Sequence, residues 1–325
     1  MDDDQDQQQA QELMPLEKIR LGCVPEHFSS PLYQAVEKRL FTEAGIEVEI
    51  VSCPGGTGEM VNALNDGQID VAIALTEGLI ASLSNTADAT FRIIGTYTSS
   101  PLTWSIATSP TGKHASTPRE TPGPEAWQEL KGAKIGISRF GSGSHIIPFV
   151  LADNMGWLEK GKEPFTFVPL KNITGLIQGV ESGEADAFLW ERVMTKPHYD
   201  SGELHHLSNI TPPWPAFMIA ASNKALVDKQ ALKTLLAVIT KEAANFMQCR
   251  DSGESVHYVA NRFKLPIEDV KSWFAPLGFP TDARNVSSAA VAECISTLKK
   301  AGVIVNQQAE IPMGKLIDED IAQLE

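Results

Sequence analysis

The chain has 325 residues, of which 42% are hydrophobic and 21% charged, and its formal net charge is −14. That length supports a full core and favours two domains, and the composition is ordinary for a globular protein. No stretch is strongly basic, which argues against a nucleic-acid partner, and no apolar run approaches the roughly 20 residues that span a bilayer.

The first fourteen residues hold five acids (Asp2, Asp3, Asp4, Asp6, Glu12) and no base, and without them the balance is still −9. A Gln/Asp-rich opening cannot bury enough apolar surface to order itself, so residues 1–15 are expected to form a disordered acidic tail. It has neither the basic start nor the apolar stretch of a signal peptide. A cytoplasmic protein is the simplest expectation, with a mature secreted form as the alternative. Cys23, Cys53, Cys249 and Cys294 lack CxxC spacing, so neither a disulfide framework nor a zinc site is expected.

The body opens with a strand over Ile19–Val24 and a loop, Pro25 to Ser29. Ser30-Pro31 then reads as a helix start, and Leu32, Ala35, Val36 and Leu40 follow at helical spacing as far as Gly45. A second strand, Glu47 to Val51, leads into Pro54-Gly55-Gly56-Thr57-Gly58. Thr57 is expected to cap a helix that buries Val61 and Leu64 and stops at Gly67. A third strand, Asp70 to Leu75, is apolar throughout, as in the middle of a parallel sheet.

Residues 109–125 contain four prolines and no periodicity, and so read as loop. Strand and helix then alternate again: strand 134–138, glycine-serine loop 139–145, helix 146–154, strand 165–170, helix 174–182, strand 185–190. Alternation of this kind predicts an α/β fold with parallel strands. From Ala216 the character changes to one short strand, 217–221, followed by helices over 226–247, 255–263, 267–274 and 287–301.

One internal repeat is visible. Thr57 to Ala72 aligns without gaps onto Ile173 to Phe188, each copy reading as helix, glycine (Gly67, Gly183), aspartate (Asp70, Asp186) and buried strand.

Several of these segments stand in a recognisable order: Gly22 to Val24, Ser30-Pro31-Leu32, Gly45-Ile46, Pro54-Gly55-Gly56-Thr57 and Ala63-Leu64-xx-Gly67-xx-Asp70-Val71-Ala72. Leu130-Lys131-Gly132-xx-Ile135-Gly136, Val180-xx-Gly183-xx-Asp186-Ala187 and Leu298-Lys299-Lys300-Ala301-Gly302-Val303 continue it. The chain resembles the nitrate/sulfonate/taurine and thiamine-pyrimidine-precursor group of type II periplasmic binding proteins, over about residues 17–305. The resemblance implies a two-lobed α/β fold, each lobe a mostly parallel sheet flanked by helices, with the ligand cleft between them. Residues 16–98 plus 217–325 would form lobe one and 99–216 lobe two, with hinge closure trapping the ligand.

The residues point to the same cleft. In parallel α/β sheets, ligands sit at the carboxyl ends of strands, where helix N-termini attract anions. The strongest candidate is the loop Ser138 to His145, with Arg139, Gly141, Ser142, Gly143 and Ser144 as ligand contacts. Its glycines allow close approach, and Arg139 can pair with a carboxylate or phosphate. His27, Phe28 and Ser29 in the first loop, Gly56 and Thr57 in the second, Thr76 and Glu77 after the third strand, and Trp190 and Glu191 complete the candidates. Glu77 and Glu191 would repel a simple anion, so together they suggest a ligand with an amine or pyrimidine-like donor.

The expectation is therefore binding without catalysis, of an anionic or zwitterionic ligand such as a sulfonate, carboxylate or thiamine-pyrimidine precursor. A small molecule is the expected partner; no cofactor, metal, nucleic acid or membrane insertion is expected, and no transporter can be named. The alternative is an enzyme of the thiamine-pyrimidine-synthase kind, with Lys171 and His27 as residues for its chemistry. That branch carries a cysteine-rich iron-binding cluster, which this sequence lacks.

Overall fold

A computed structural model describes residues 18–159, 162–308 and 310–325, so the acidic tail expected over 1–15 lies outside the described residues. The strands of the two main sheets are β1 (Ile19–Cys23), β2 (Val48–Ser52), β3 (Val71–Leu75), β4 (Phe91–Thr96) and β5 (Trp104–Thr108) in the first half of the chain. They continue as β6 (Lys134–Ile137), β7 (Thr166–Pro169), β8 (Ala187–Glu191), β9 (His205–Ile210) and β10 (Phe217–Ser222).

These strands make two five-stranded sheets, ordered β2-β1-β3-β10-β4 and β7-β6-β8-β5-β9. In the first, β1 runs parallel to β2 and β3, while β10 is antiparallel to β3 and β4. In the second, β6 runs parallel to β7 and β8, while β5 is antiparallel to β8 and β9. The two sheets thus repeat one topology. Each contains one strand that arrives from the far side of the other sheet, β10 and β5, so the chain crosses between them twice.

The internal repeat occupies matching places. β3 and β8 are both third in their sheets, and the helices before them, Thr57–Asn65 and Ile173–Ser182, end near Gly67 and Gly183, both at positive φ. The shared aspartate performs the same task twice. Asp70 accepts from the Arg20 backbone N–H at 2.9 Å, and Asp186 from that of Lys134 at 2.7 Å. Each aspartate N–H returns a bond to the carbonyl of the same residue. An acidic residue just before a central strand therefore clamps the neighbouring strand in register.

Burial orders the rest. β3 and β10 are buried along nearly their whole length, as their apolar sequences require. The long helix Lys229–Gln248 packs Leu232, Leu235, Leu236, Ile239 and Phe246 inward at helical spacing.

At Asp70, burial opposes ionisation, yet the side-chain and backbone hydrogen bonds from Arg20 hold the carboxyl below its ordinary range. A depressed folded pKa contributes stability above the unfolded value of about 4, which is lost as pH falls through the folded value. Asp70→Asn should therefore destabilise by about 2–3 kcal/mol at pH 7, and progressively less between pH 4 and pH 2. Urea titrations of parent and variant at pH 7 and pH 3 measure this difference.

Candidate functional site

A cavity of about 240 Å3 lies where the two sheets face one another, with lining from both. The first sheet's side supplies Val24, Glu26, residues 54–57, Met60, Leu75 and Phe217. The second supplies Leu102, Trp104, Ser138, Arg139, residues 142–144, residues 171–173, Trp190 and Glu191. That volume suits a small organic molecule.

Three helices begin at this cavity: Thr57–Asn65, Gly143–Asn154 and Ile173–Ser182. The N–H groups of Thr57, Gly143, Ser144 and Ile173 meet no acceptor among the described residues. Such first-turn groups, with the positive end of the helix dipole, are the donors an anion needs. Their positions are locked. Thr57 Oγ1 accepts from the Leu75 N–H at 3.1 Å, which ties the first helix to the end of β3. Asn172 caps the third helix by accepting from the Gly175 N–H, and Lys171 before it is held at φ 73°, a costly conformation for a non-glycine residue.

The hydroxyls of the second loop look inward. Ser142 donates to the Arg139 carbonyl at 2.7 Å, and Ser144 accepts from the Ser138 N–H at 2.9 Å. Neither side chain caps its own helix. Thr57 likewise is the first helical residue, and Gly56 is the cap.

Arg139 crosses the cleft. Its Nη1 donates to the Gly55 carbonyl at 3.1 Å, and burial lowers its pKa against the opposing pull of Glu59. Gly58 makes this possible, because a Cβ there would lie 2.3 Å from the guanidinium. Gly143 does the same for the apolar wall, since its Cβ would lie 2.5 Å from the Trp104 ring and 3.0 Å from Leu75. Two glycines thus let the two sides meet.

Of the expected site residues, Gly56, Thr57, Arg139, Ser142, Gly143, Ser144, Trp190 and Glu191 line the cavity. The others lie outside its lining, each for a physical reason. His27 and Phe28 form a short 3-10 turn that packs into an aromatic core with Trp273, at ring distances of 4.8 and 5.3 Å. Ser29 donates to the Val24 carbonyl, and Thr76 to the Pro215 carbonyl. Glu77 is buried and accepts from the Trp214 indole N–H at 3.0 Å, which ties it to a chain crossing instead of the cleft. Gly141, at φ 78°, only turns the loop.

Sequence reasoning missed Glu26, which lines the cavity together with Glu191. Burial and the nearby charge of Glu191 push its carboxyl up to about 8, and burial pushes Glu191 up to about 7. Glu191 also caps the helix Arg192–Asp200 by accepting from the Met194 N–H at 2.7 Å. The lining therefore combines one guanidinium and several first-turn N–H donors with two carboxyl groups.

Comparisons with known proteins agree with this architecture. A family model described as Ca3427-like PBP matches residues 104–210. The Candida albicans CA3427 gene product, described as defining a new family with the generic periplasmic-binding-protein fold, is 26% identical with a TM-score of 0.81. The similarity spans 95% of this chain and 99% of that one. The alkanesulfonate-binding protein SsuA from Xanthomonas axonopodis pv. citri, bound to MOPS, is 15% identical with a TM-score of 0.70, covering 96% and 99%. The nitrate-binding protein NrtA from Synechocystis PCC 6803 is 16% identical with a TM-score of 0.66, covering 94% and 87%. No curated protein matches. The chain has the periplasmic-binding-protein fold. Among the described residues no helix is long and apolar enough to cross a membrane.

Burial also pushes the Glu77 carboxyl up to about 7, against the Trp214 hydrogen bond. A raised folded pKa means that stability is full below the unfolded value of about 4 and is lost as pH rises through 7. Glu77→Gln should therefore gain in melting temperature relative to the parent as pH rises from 5 to 8. A constant difference across that range would mean that Glu77 titrates as an ordinary carboxyl.

Proposed function

We propose that this protein is a small-molecule binding protein whose two lobes close around one anionic or zwitterionic ligand. The observation that carries this reading is the meeting of three helix N-termini and the Arg139 guanidinium at one cavity between the sheets. Lobe one comprises residues 16–98 plus 217–325 and lobe two residues 99–216, with the crossings at 97–103 and 211–216 as hinges. The site consists of Gly56, Thr57, Arg139, Ser142, Gly143, Ser144, Trp190 and Glu191, joined by Glu26, Lys171 and Asn172.

Charge and shape divide the labour. The first-turn N–H groups hold an anionic head without a matching side-chain charge at every point, and Arg139 adds one charge that spans both lobes. Trp104, Trp190 and Phe217 provide flat apolar surface for a ring or a short chain. Because Arg139 reaches the Gly55 carbonyl, closure completes the anion site rather than merely covering it. A carboxylate, sulfonate or phosphate head fits these donors; fold alone does not choose among them.

Native mass spectrometry of gently purified protein should reveal the retained small molecule. With that molecule in a calorimeter, Arg139→Ala should weaken binding roughly 10- to 100-fold, the value of one charge-assisted contact. Ser116→Ala, in the proline-rich loop, should leave affinity unchanged. Parent-like affinity in Arg139→Ala would remove Arg139 from the site.

A further inference from the structure

A second cavity, of about 270 Å3, lies beside β9, the edge strand of the second sheet, and shares no lining residue with the cavity between the sheets. Most of its polar groups are already committed. Tyr199 and His206 stack with ring centres 4.4 Å apart, and the Tyr199 hydroxyl donates to Ser105 Oγ. The two His206 nitrogens lie 2.9 Å from Asn209 Oδ1 and 3.2 Å from Glu120 Oε1. Lys196 is shared between Asp200 and Asp269. Two cations that line the cavity, Arg119 and Arg192, are left without a carboxylate in ion-pair reach among the described residues, in a chain with 41 acids against 27 Lys and Arg.

The fold holds both arginines in place. Arg119 belongs to a turn pinned onto β9: the Glu120 N–H donates to the His206 carbonyl at 3.0 Å, and Ser208 Oγ to the Thr121 carbonyl at 2.8 Å. Glu120 sits at φ 55°, a costly conformation for a non-glycine residue, and Arg119 Nη1 donates to the Tyr199 carbonyl at 3.3 Å. Arg192 is the first residue of the helix Arg192–Asp200, and its N–H donates to the Thr103 carbonyl at 3.2 Å. Its side chain has no hydrogen-bond partner among the described residues, and its charge acts on Glu191 only through space. A cation at that position opposes the helix dipole, and a second guanidinium in the same concavity repels it. Stability therefore gains nothing from this arrangement, whereas a bound anion would relieve both costs.

We propose that lobe two carries a second binding site, outside the cleft, for a phosphate-type dianion held by Arg119 and Arg192. Two uncompensated guanidinium groups match two negative charges, and their planar N–H forks suit bidentate contact with phosphate oxygens. The occupant is free phosphate or a small phosphomonoester, which share this head. The other lining charges do not cancel the pair, because Glu120 faces His206 and Asp200 faces Lys196.

Calorimetric titration of the full chain at one low ionic strength tests the site with inorganic phosphate, glycerol 3-phosphate and acetate. At about pH 7.5 a phosphomonoester, with its second pKa about 6, carries close to two charges. Arg119→Ala and Arg192→Ala should each weaken phosphate binding roughly tenfold or more, whereas Arg139→Ala, in the other cavity, should keep the parent's phosphate affinity. Arg119→Ala also gives up the bond to the Tyr199 carbonyl. Arg192→Ala loses no side-chain hydrogen bond and should melt at or above the parent's temperature, so it separates binding from folding. Acetate should show no binding that either variant removes. Tighter binding of glycerol 3-phosphate than of phosphate would identify a phosphomonoester as the occupant, and equal binding the free ion. If neither phosphate probe binds the parent, or both variants bind them as tightly as the parent does, the site is refuted. Binding lost in Arg139→Ala but kept in the other two variants would put phosphate in the cleft, which overturns the second site and leaves the cleft reading standing.

Discussion

A helix begins with N–H groups that its own turns cannot satisfy, and in this protein three such beginnings face one cavity. Much of the local architecture serves to hold them there. Thr57 ties one helix to β3, Asn172 caps another, and the Ser138–Ser144 hydroxyls bond among themselves so that the loop holds its shape. A preorganised set of donors binds an anion without the cost of ordering flexible side chains. The repeated topology explains why there are several: each sheet places a helix start at the carboxyl end of its central parallel strands, and facing sheets bring those starts together.

The closeness of that meeting depends on absent side chains. Gly58 leaves room for the Arg139 guanidinium and Gly143 for Leu75, so sheet-one and sheet-two residues pack directly across the cleft. Other ties across it are ionic: Lys196 to Asp269 at 3.1 Å and Lys300 to Asp153 at 2.8 Å. These pairs are partly exposed and each contributes under about 1 kcal/mol, which suits a contact that must break when the lobes part. Close packing at the centre with weak pairs at the edge is the arrangement that the proposed reversible closure requires.

The sequence announces the parts whose signals are local. β1, β2 and β3 read clearly because apolar runs are followed by turn residues, and the glycine-serine loop at 138–145 reads as a helix start beside Pro148. The repeat reads because one aspartate must meet a neighbouring strand's backbone in both copies. What stayed hidden depends on distant partners. β5 and β9 carry no strand signal of their own, since Trp104-Ser-Ile-Ala-Thr108 and His205-His206-Leu-Ser-Asn209 mix polar and apolar residues without a clear period. They are strands because they pair with each other and β5 pairs also with β8. His206, polar in sequence, is buried by stacking on Tyr199 at 4.4 Å. Glu77 and Glu26 exchanged roles for the same reason. Both follow a strand, but Trp214, 137 residues away, claims Glu77 for the core, and no distant donor claims Glu26.

The central claim is that one ligand is held by backbone N–H groups from both lobes at once. Amide hydrogen exchange, followed with and without the ligand recovered from the native protein, tests it most directly. The account predicts slowed exchange in two separate segments, 55–59 and 142–145, at a single saturating ligand concentration, with 109–120 unchanged. Protection confined to one of the two segments, or to neither while the ligand is bound, would contradict it.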